Sequence, residues 1–466
     1  MIVMKFGGTS NEDAAAMRNV IRLVKEHVSY QPVVVISAIA RATNELELTA
    51  RTAATGKEEE AVGIVTRLFE RHNTILDALL NERSRAAELE DIFYRHLLDI
   101  TTIIKGIAIL RELTPRTMDA LCSYGERLSS RIIAAGLQEA GVEAVWIDAS
   151  EFMITDDNFG RAQPVMALVA DNLEKKVRPL LHAGKVPVTQ GYIGVTRNGE
   201  YTTMGRESSD YSASIIGGAM NAERVQIWTD VDGILTADPR VVRAAKKLKR
   251  LSFEEAFELS YFGAKVLHPR TMLPVIEKNI PVQILNSKRS GTGTLVDFHA
   301  TGTNDAEAIV KSIAHKQRIA VVALSPHRRF SQYVFWEEVF NVLTGYGITT
   351  GITAASEYSL AFSMDSGLLT QGLVHELERF GRVEVLHEKG SICLVGKGLR
   401  RSANMLPRVF KALAGIAVAM VSFGASDLNI TLVLDGDRLH DAVNRLHAEF
   451  FEDVTLPDIC EEVPPA

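Results

Sequence analysis

Cysteine is scarce in this 466-residue chain: there are three, Cys122, Cys393 and Cys460. They are odd in number, far apart and form no CxxC pair, so a disulfide framework and a zinc site both lack support. We read them as reduced thiols, as expected of a cytoplasmic protein. Long apolar runs are missing too. None approaches the roughly 18 residues that span a bilayer, and Met1 to Met4 runs straight into Lys5 without the basic leader and cleavage site of a secretory signal. Neither membrane insertion nor export is expected. Basic side chains are not in excess: 51 Lys and Arg stand against 58 Asp and Glu, a net charge of −7. Loose binding to phosphate backbones is opposed by that balance, and no nucleic-acid partner is expected. What is present is ordinary for a globular chain, with 46% apolar and 23% charged residues. At roughly 150 residues per domain, the length calls for about three domains.

Short β-branched runs, Ile2 to Phe6, Val33 to Ile36, Val145 to Ile147, Val186 to Thr189, Val225 to Thr229 and Val282 to Leu285, alternate with helical stretches. That alternation predicts an α/β sandwich with a largely parallel sheet. Leu121, Tyr124, Leu128, Ile132 and Ala135 fall at helical spacing along one face that should pack on the sheet, with Gly141 as the stop. A charged, strand-free stretch at about 56–118 reads as a helical insertion. A Gly-, Thr- and Asn-rich boundary, Ser290 to Asp305, separates this region from an internal repeat. Val339, Phe340, Leu343, Gly345, Ala355, Ser356 and Asp365 recur 70 residues later, without a gap, as Val409, Phe410, Leu413, Gly415, Ala425, Ser426 and Asp435. Each copy reads as helix, two strands and helix, which predicts two small α+β units of the split βαβ kind. The expected domains are 1–295, 306–385 and 386–460, with a strand exchanged between the two repeats near 306–316.

Four segments carry chemistry. Lys5-Phe6-Gly7-Gly8-Thr9-Ser10 joins the first strand to a helix over Glu12 to Val28. Glycines at such a turn let backbone N–H groups approach a phosphate, and Lys5 adds an ammonium. The turn is neither a Walker A loop nor GxGxxG. Gly205-Arg206-Glu207-Ser208-Ser209-Asp210 opens a second helix, where Arg206 can fork onto a carboxylate and the serines and Asp210 are N-cap types. Trp228 to Arg240 ends a strand in an acidic loop closed by Asp238-Pro239. Phe262 to Pro269 sets Lys265 beside a glycine turn; its His268 is given no catalytic role. Each alone has a plain structural reading, as a turn, a cap or a connector.

In this order, together with Ser37 after the second strand and Ser123-Tyr124-Gly125-Glu126 opening a helix, these segments closely resemble the aspartate kinases of the amino acid kinase superfamily. The repeats resemble the tandem ACT domains of that family. The resemblance covers essentially the whole chain. It implies a three-layer α/β/α kinase domain with a mainly parallel central sheet, then two ferredoxin-like ACT domains. It also implies transfer from ATP, with Mg²⁺, to the β-carboxylate of L-aspartate, the first step towards lysine, threonine and methionine. Lys5 and Asp210 are then catalytic. Ser37, Thr43, Glu126, Arg206 and Ser209 bind aspartate, and Lys5, Gly7, Gly8, Thr229, Asp230, Arg240 and Lys265 bind the nucleotide. Ser356 and Glu357 face a possible amino acid effector, and the ACT repeats make a homodimer. No carboxylate cluster announces a metal cage, so Mg²⁺ is expected on phosphates and water.

Two departures from the family pattern matter. Glu207 and Ser208 stand where relatives carry two glycines, which would weaken ligand binding unless Glu207 points outward. Leu235 stands where relatives often place a tyrosine near the adenine. An active aspartate kinase is the leading reading; a kinase for another small carboxylate and a silent amino acid sensor are the alternatives, and the intact Lys5, Glu126, Arg206 and Asp210 weigh against the sensor, which would be free to lose Lys5.

Overall fold

The computed structural model describes residues 1–205, 208–262, 267, 269–298, 309–327, 331–452 and 459–461. The chain folds into two bodies, one of Met1–Gly233 with Pro269–Phe298, the other of Ile234–His268 with His299–Ala466.

In the first body seven strands lie in the order Ala144–Trp146, Val186–Gln190, Pro32–Ile36, Ile2–Phe6, Arg224–Thr229, Val282–Asn286 and Thr294–Asp297. All pair in parallel except the last, which runs antiparallel to its neighbour. Strands covered on both faces need no polar alternation, which is why Ile2, Val3, Met4 and Phe6 are all buried. The first strand sits at the centre, and the chain leaves it on one side to Pro32–Ile36 and returns on the other as Arg224–Thr229. A crevice opens beyond the carboxyl ends of strands at such a switch in order, and the Gly7-Gly8 turn that follows the first strand lies there.

The helical insertion consists of Glu58–Leu79 and Arg83–Leu110, which pack through Leu68, Phe69, Leu76, Phe93 and Ile104 onto the long helix Pro115–Glu139. That helix corrects one expectation: Ser123 to Glu126 lie in its middle and do not open it. Thr114 caps it, its hydroxyl accepting from the Thr117 amide, with Pro115 at the first position. A proline costs nothing there, because that N–H has no intrahelical partner. The first helix is also shorter than expected, Ala14–Glu26, because Asp13 caps it through the Ala16 amide.

In the second body six antiparallel strands follow the order Thr353–Ala355, Leu360–Asp365, Ile309–Pro326, Gly381–Lys397, Asn429–Asp435 and Val418–Phe423. The two central strands are long and pair along their whole length. Ala314 opposite Cys393 belongs to the half-sheet of the second repeat, and Val322 opposite Val385 to that of the first. A register shift between Lys316 and Ile319 divides the halves. The 70-residue repeat has a packing cause: Val339 and Val409 are both 0% exposed and Leu343 and Leu413 both 2%, each pair anchoring a helix to its own half.

Candidate functional site

The first strand carries Lys5 to its carboxyl end, with Val35 and Ile227 as neighbours. Lys5 is therefore a strand residue, not a loop residue, and its side chain is only 12% exposed. Its Nζ lies 2.6 Å from Oδ1 of Asp210, in the first turn of helix Ser208–Ala219. A carboxylate at a helix start is favoured by the helix dipole, so Asp210 is a fixed anchor that aims the ammonium.

After Phe6 the chain turns at Gly7 and Gly8. The Gly7 amide donates to the Trp228 carbonyl at 3.1 Å, and Ser10 and Ser287 share a hydrogen bond of 2.7 Å between their hydroxyls. Gly7 has an extended backbone with φ −73°, so its role is not left-handed geometry. Closeness is what excludes side chains here: a Cβ on Gly8 would press to 3.2 Å from the Ala38 carbonyl oxygen. Buried Asn11, which sequence reasoning passed over, ties the turn down; its amide donates to the Gly7 carbonyl at 2.9 Å and reaches those of Phe6 and Ser37 at 3.4 Å.

A cavity of about 270 Å³ opens beside this turn, lined by Gly8, Ser37, Thr43, Glu126, Tyr192 and Ser209 among others. Five of the residues expected to bind substrate or phosphate thus share one open cavity. Glu126 is 4% exposed. Its Oε1 accepts from the Ser209 hydroxyl at 2.7 Å, while Oε2 has no hydrogen-bond partner among the described residues. Burial pushes its pKa up to about 7, against the opposing pull of Ser209, Lys5 and the nearby amides of Ala38 and Gly191. A buried carboxyl with one oxygen lacking a hydrogen-bond partner among the described residues, in a pocket of hydroxyls, is suited to an ammonium group.

Other supports were not found from sequence. Gly191 lets strand and helix meet, since a Cβ there would fall 2.6 Å from that of Ser209. Buried Asp119 accepts from the amides of Gly160 and Thr203 and from the Thr203 hydroxyl, pinning the hairpin that leads into Gly205. Its signal was present: Asp119 and Glu126 are seven apart, one face of one helix.

Thr229 ends its strand beside the glycine turn, its carbonyl accepting from the Ser287 amide at 2.8 Å and its hydroxyl donating to Asp230 at 3.2 Å. Arg240 belongs to the second body, exposed and forked onto Asp238 at 2.7 to 3.1 Å. Leu235 packs against the core of the second repeat. Ser356 pairs with Ser359 through their hydroxyls at 2.7 Å, and Glu357 is exposed. Arg206, Glu207 and Lys265 lie outside the described residues. Among the described residues no three His, Cys, Asp or Glu are grouped to hold a metal ion, and no helix is long and apolar enough to cross a membrane.

Residues 1–286 match the model of the amino acid kinase family and residues 392–450 that of the ACT domain. The chain is 35% identical to lysine-sensitive aspartokinase 3 of Escherichia coli, across 97% of this chain and 99% of that one. It is likewise 35% identical to the chloroplastic aspartokinase 3 of Arabidopsis thaliana, across 99% of this chain and 83% of that one. The crystal structure of E. coli aspartokinase III with aspartate and ADP, in the R-state, superposes with a TM-score of 0.80 over 97% of this chain and 100% of that chain, at 35% identity.

Proposed function

The chain belongs to the amino acid kinase family, among its aspartokinases, and is an ATP-dependent aspartate kinase; we propose that Lys5 and Asp210 serve the transfer itself and that the Glu126 cavity receives the acceptor. The observation that carries this assignment is the 2.6 Å Lys5–Asp210 pair at the end of the central strand, beside a cavity whose buried carboxyl has a free oxygen.

A free aspartate β-carboxylate has a pKa near 4 and is ionised at neutral pH, so the nucleophile needs no general base. One carboxylate oxygen forms the new bond to the γ-phosphorus, and the bond to the β,γ-bridging oxygen breaks with its electron pair leaving on ADP. Two anions must meet in line, so alignment and positive charge do the catalysis. Lys5 supplies the charge and Asp210 fixes it. Glu126 takes the substrate ammonium, Ser37, Thr43 and Ser209 donate or accept around it, and Arg206 takes a carboxylate. Opposite charges at the two ends of a small zwitterion select aspartate over uncharged acids.

On the nucleotide side we assign the Gly8 amide to phosphate, the Gly7 amide expected there being spent on the Trp228 carbonyl, with Thr229, Asp230, Arg240 and Lys265 completing the contact. Magnesium, when bound with the nucleotide, would be held by phosphate oxygens and water and would supply charge that offsets that of the transferring group. We also propose a homodimer through the ACT repeats. The edge strand Thr353–Ala355 is exposed throughout, and Tyr333, Val334, Phe340 and Tyr358 of the same repeat leave apolar surface uncovered. The cytoplasm is the proposed compartment, in keeping with three free thiols.

ADP release on adding aspartate, with glutamate as control and hydroxylamine to trap the acyl phosphate, tests the function. Nucleotide binding without turnover would instead establish a silent sensor.

A further inference from the structure

Aspartate brings two carboxylates and one ammonium, and the reading above gives a cation to only one of the carboxylates. The cavity beside the glycine turn holds a second cation that the sequence did not mark. Arg41 lines it, together with Thr43, Asn44, Glu126 and Tyr192. Ala40, the residue before it, packs close to the phosphate turn: a Cβ on Gly8 would stand 3.6 Å from the Ala40 Cα. Among the described residues of the cavity wall Arg41 is the one cation, and the acidic groups are Glu47 and Glu126. A wall of carboxylates and hydroxyls alone would repel an acceptor whose own net charge is negative.

Three local rules are broken at this residue. Its backbone is left-handed, with φ 70° and ψ −6°, a region that a residue with a Cβ enters at a cost. It occupies the N-cap of helix Ala42–Ala54, where a serine or asparagine would accept from the first-turn amides, and its side chain makes no such bond. It also sets a cation at the helix end whose partial charge is already positive. No contact offsets these costs: the side chain is exposed and has neither a hydrogen bond nor an ion pair among the described residues. Strain of this kind gathers at functional sites, where the surrounding structure holds it. Of the eight non-glycine residues with positive φ among those described, two, Arg41 and Tyr192, line this cavity.

The wall around Arg41 suits an anion in a second way. The Arg41 carbonyl accepts from the Glu45 amide at 3.0 Å, the first bond of the helix, so the amides of Thr43 and Asn44 have no intrahelical acceptor. A carboxylate seated at this helix end is met by the guanidinium fork and by those amides together, while the unpartnered Oε2 of Glu126 in the same cavity is left for the ammonium. We propose that Arg41 is a substrate-binding residue, the cation for the aspartate carboxylate that Arg206 does not hold, and that it sets specificity for a dicarboxylic amino acid. The proposal rests on the assignment of this cavity to the acceptor. A serine or asparagine at position 41 would close the helix amides with its own side chain; the arginine leaves them open to the substrate.

The test compares Arg41→Asn and Arg41→Lys with the wild-type enzyme at full length, with Glu126→Gln as the control for the cavity. Initial rates of ADP release give KM for aspartate at saturating ATP and KM for ATP at saturating aspartate. Asparagine and β-alanine, which each lack one of the two carboxylates, are measured as competitors of aspartate, and urea midpoints are taken without ligand. Arg41→Asn should raise KM for aspartate on the order of tenfold, the lower end for a charged hydrogen bond because the side chain is exposed, and leave KM for ATP within about twofold. Arg41→Lys keeps the charge and loses the fork, so it should recover part of that loss. One analogue should lose affinity along with aspartate, while the other, lacking the carboxylate that Arg41 holds, is unaffected. The urea midpoint of Arg41→Asn should stay or rise, since asparagine tolerates the left-handed backbone and caps the helix. An unchanged KM for aspartate would overturn the proposal; so would an equal rise in both KM values or a lowered urea midpoint, either of which shows a packing role. Equal losses for aspartate and both analogues would put a general field effect in place of a carboxylate contact and overturn it too. If Glu126→Gln leaves KM for aspartate unchanged, the cavity is not the acceptor site and both assignments fall; if only Arg41→Asn is silent, the cavity assignment stands.

Discussion

Lowering the pH from 8 to 6 should weaken aspartate binding about tenfold through a single group, Glu126. Its carboxyl titrates at about 7 because it is buried, and only the ionised form pairs with the substrate ammonium. The ionised fraction is roughly 0.9 at pH 8 and roughly 0.1 at pH 6 for a group of that pKa. The β-carboxylate of aspartate, with a pKa near 4, does not titrate in this window. The assay is initial-rate ADP release at saturating ATP, with KM for aspartate plotted against pH. Glu126→Gln should raise that KM by about 10- to 150-fold, the equivalent of roughly 1.5 to 3 kcal/mol for a charged hydrogen bond, and flatten the profile. The same variant separates binding from stability. The folded-state pKa is raised above the ordinary 4.5, so the fold prefers the neutral carboxyl, and that preference turns into a cost as pH rises through 7. At pH 8 the empty enzyme carries a buried charge worth on the order of 3 kcal/mol against it. Glu126→Gln should therefore make the unliganded enzyme more resistant to urea at pH 8 and leave it little changed at pH 5. A wild-type KM that is flat from pH 6 to 8, or a profile that survives Glu126→Gln, would refute the reasoning.

Lys5→Ala should reduce turnover by at least about 100-fold with the circular dichroism spectrum unchanged, since an ammonium at the transferring phosphoryl group acts on the transition state; wild-type turnover would remove Lys5 from the mechanism. Lysine inhibition should be weak or absent. The effector stretch implied by family resemblance reads Thr349-Thr350-Gly351, without the acidic residue of lysine-inhibited relatives, and only Glu357 remains. Losing one ion pair costs roughly 100-fold in affinity, so half-inhibition by low-micromolar lysine at subsaturating aspartate would show that Glu357 suffices; threonine and methionine are titrated alongside. Acid should destabilise the helical insertion through His72, whose pKa burial lowers from 6.5 to about 4. The neutral ring's contribution is complete above pH 6.5 and is lost as pH falls towards 4, about 1 kcal/mol being gone at pH 5.5. His72→Gln should abolish that share of the difference between urea midpoints at pH 7.5 and 5.5; an unchanged difference would assign the acid sensitivity elsewhere.

Much of this molecule is legible in one dimension because its signals are local. A run such as Ile2 to Phe6 is buried on both faces and so uniformly apolar, and a glycine pair after it marks a turn that must come close to something. The 70-residue repeat is visible because Val339 and Val409, and Leu343 and Leu413, meet the same packing demand in two half-sheets. Residue types that chemistry requires, an ammonium at Lys5 and a carboxylate at Glu126, are likewise present as letters. What the letters do not carry is which distant groups meet. Asp210 is 205 positions from Lys5 in the sequence and 2.6 Å from it in the fold, and the Glu126 carboxyl is buried by Ala38, Gly191 and Ser209, which come from three distant segments. Loop identity is the clearest case. Leu235 to Arg240 follow the kinase strand without a break in sequence, yet their backbone hydrogen bonds run to Ser312, Ile313 and Lys246, so they belong to the ACT body. A backbone carbonyl bonds to whatever donor the completed fold brings to it, and that choice is made by packing between segments that no local pattern connects.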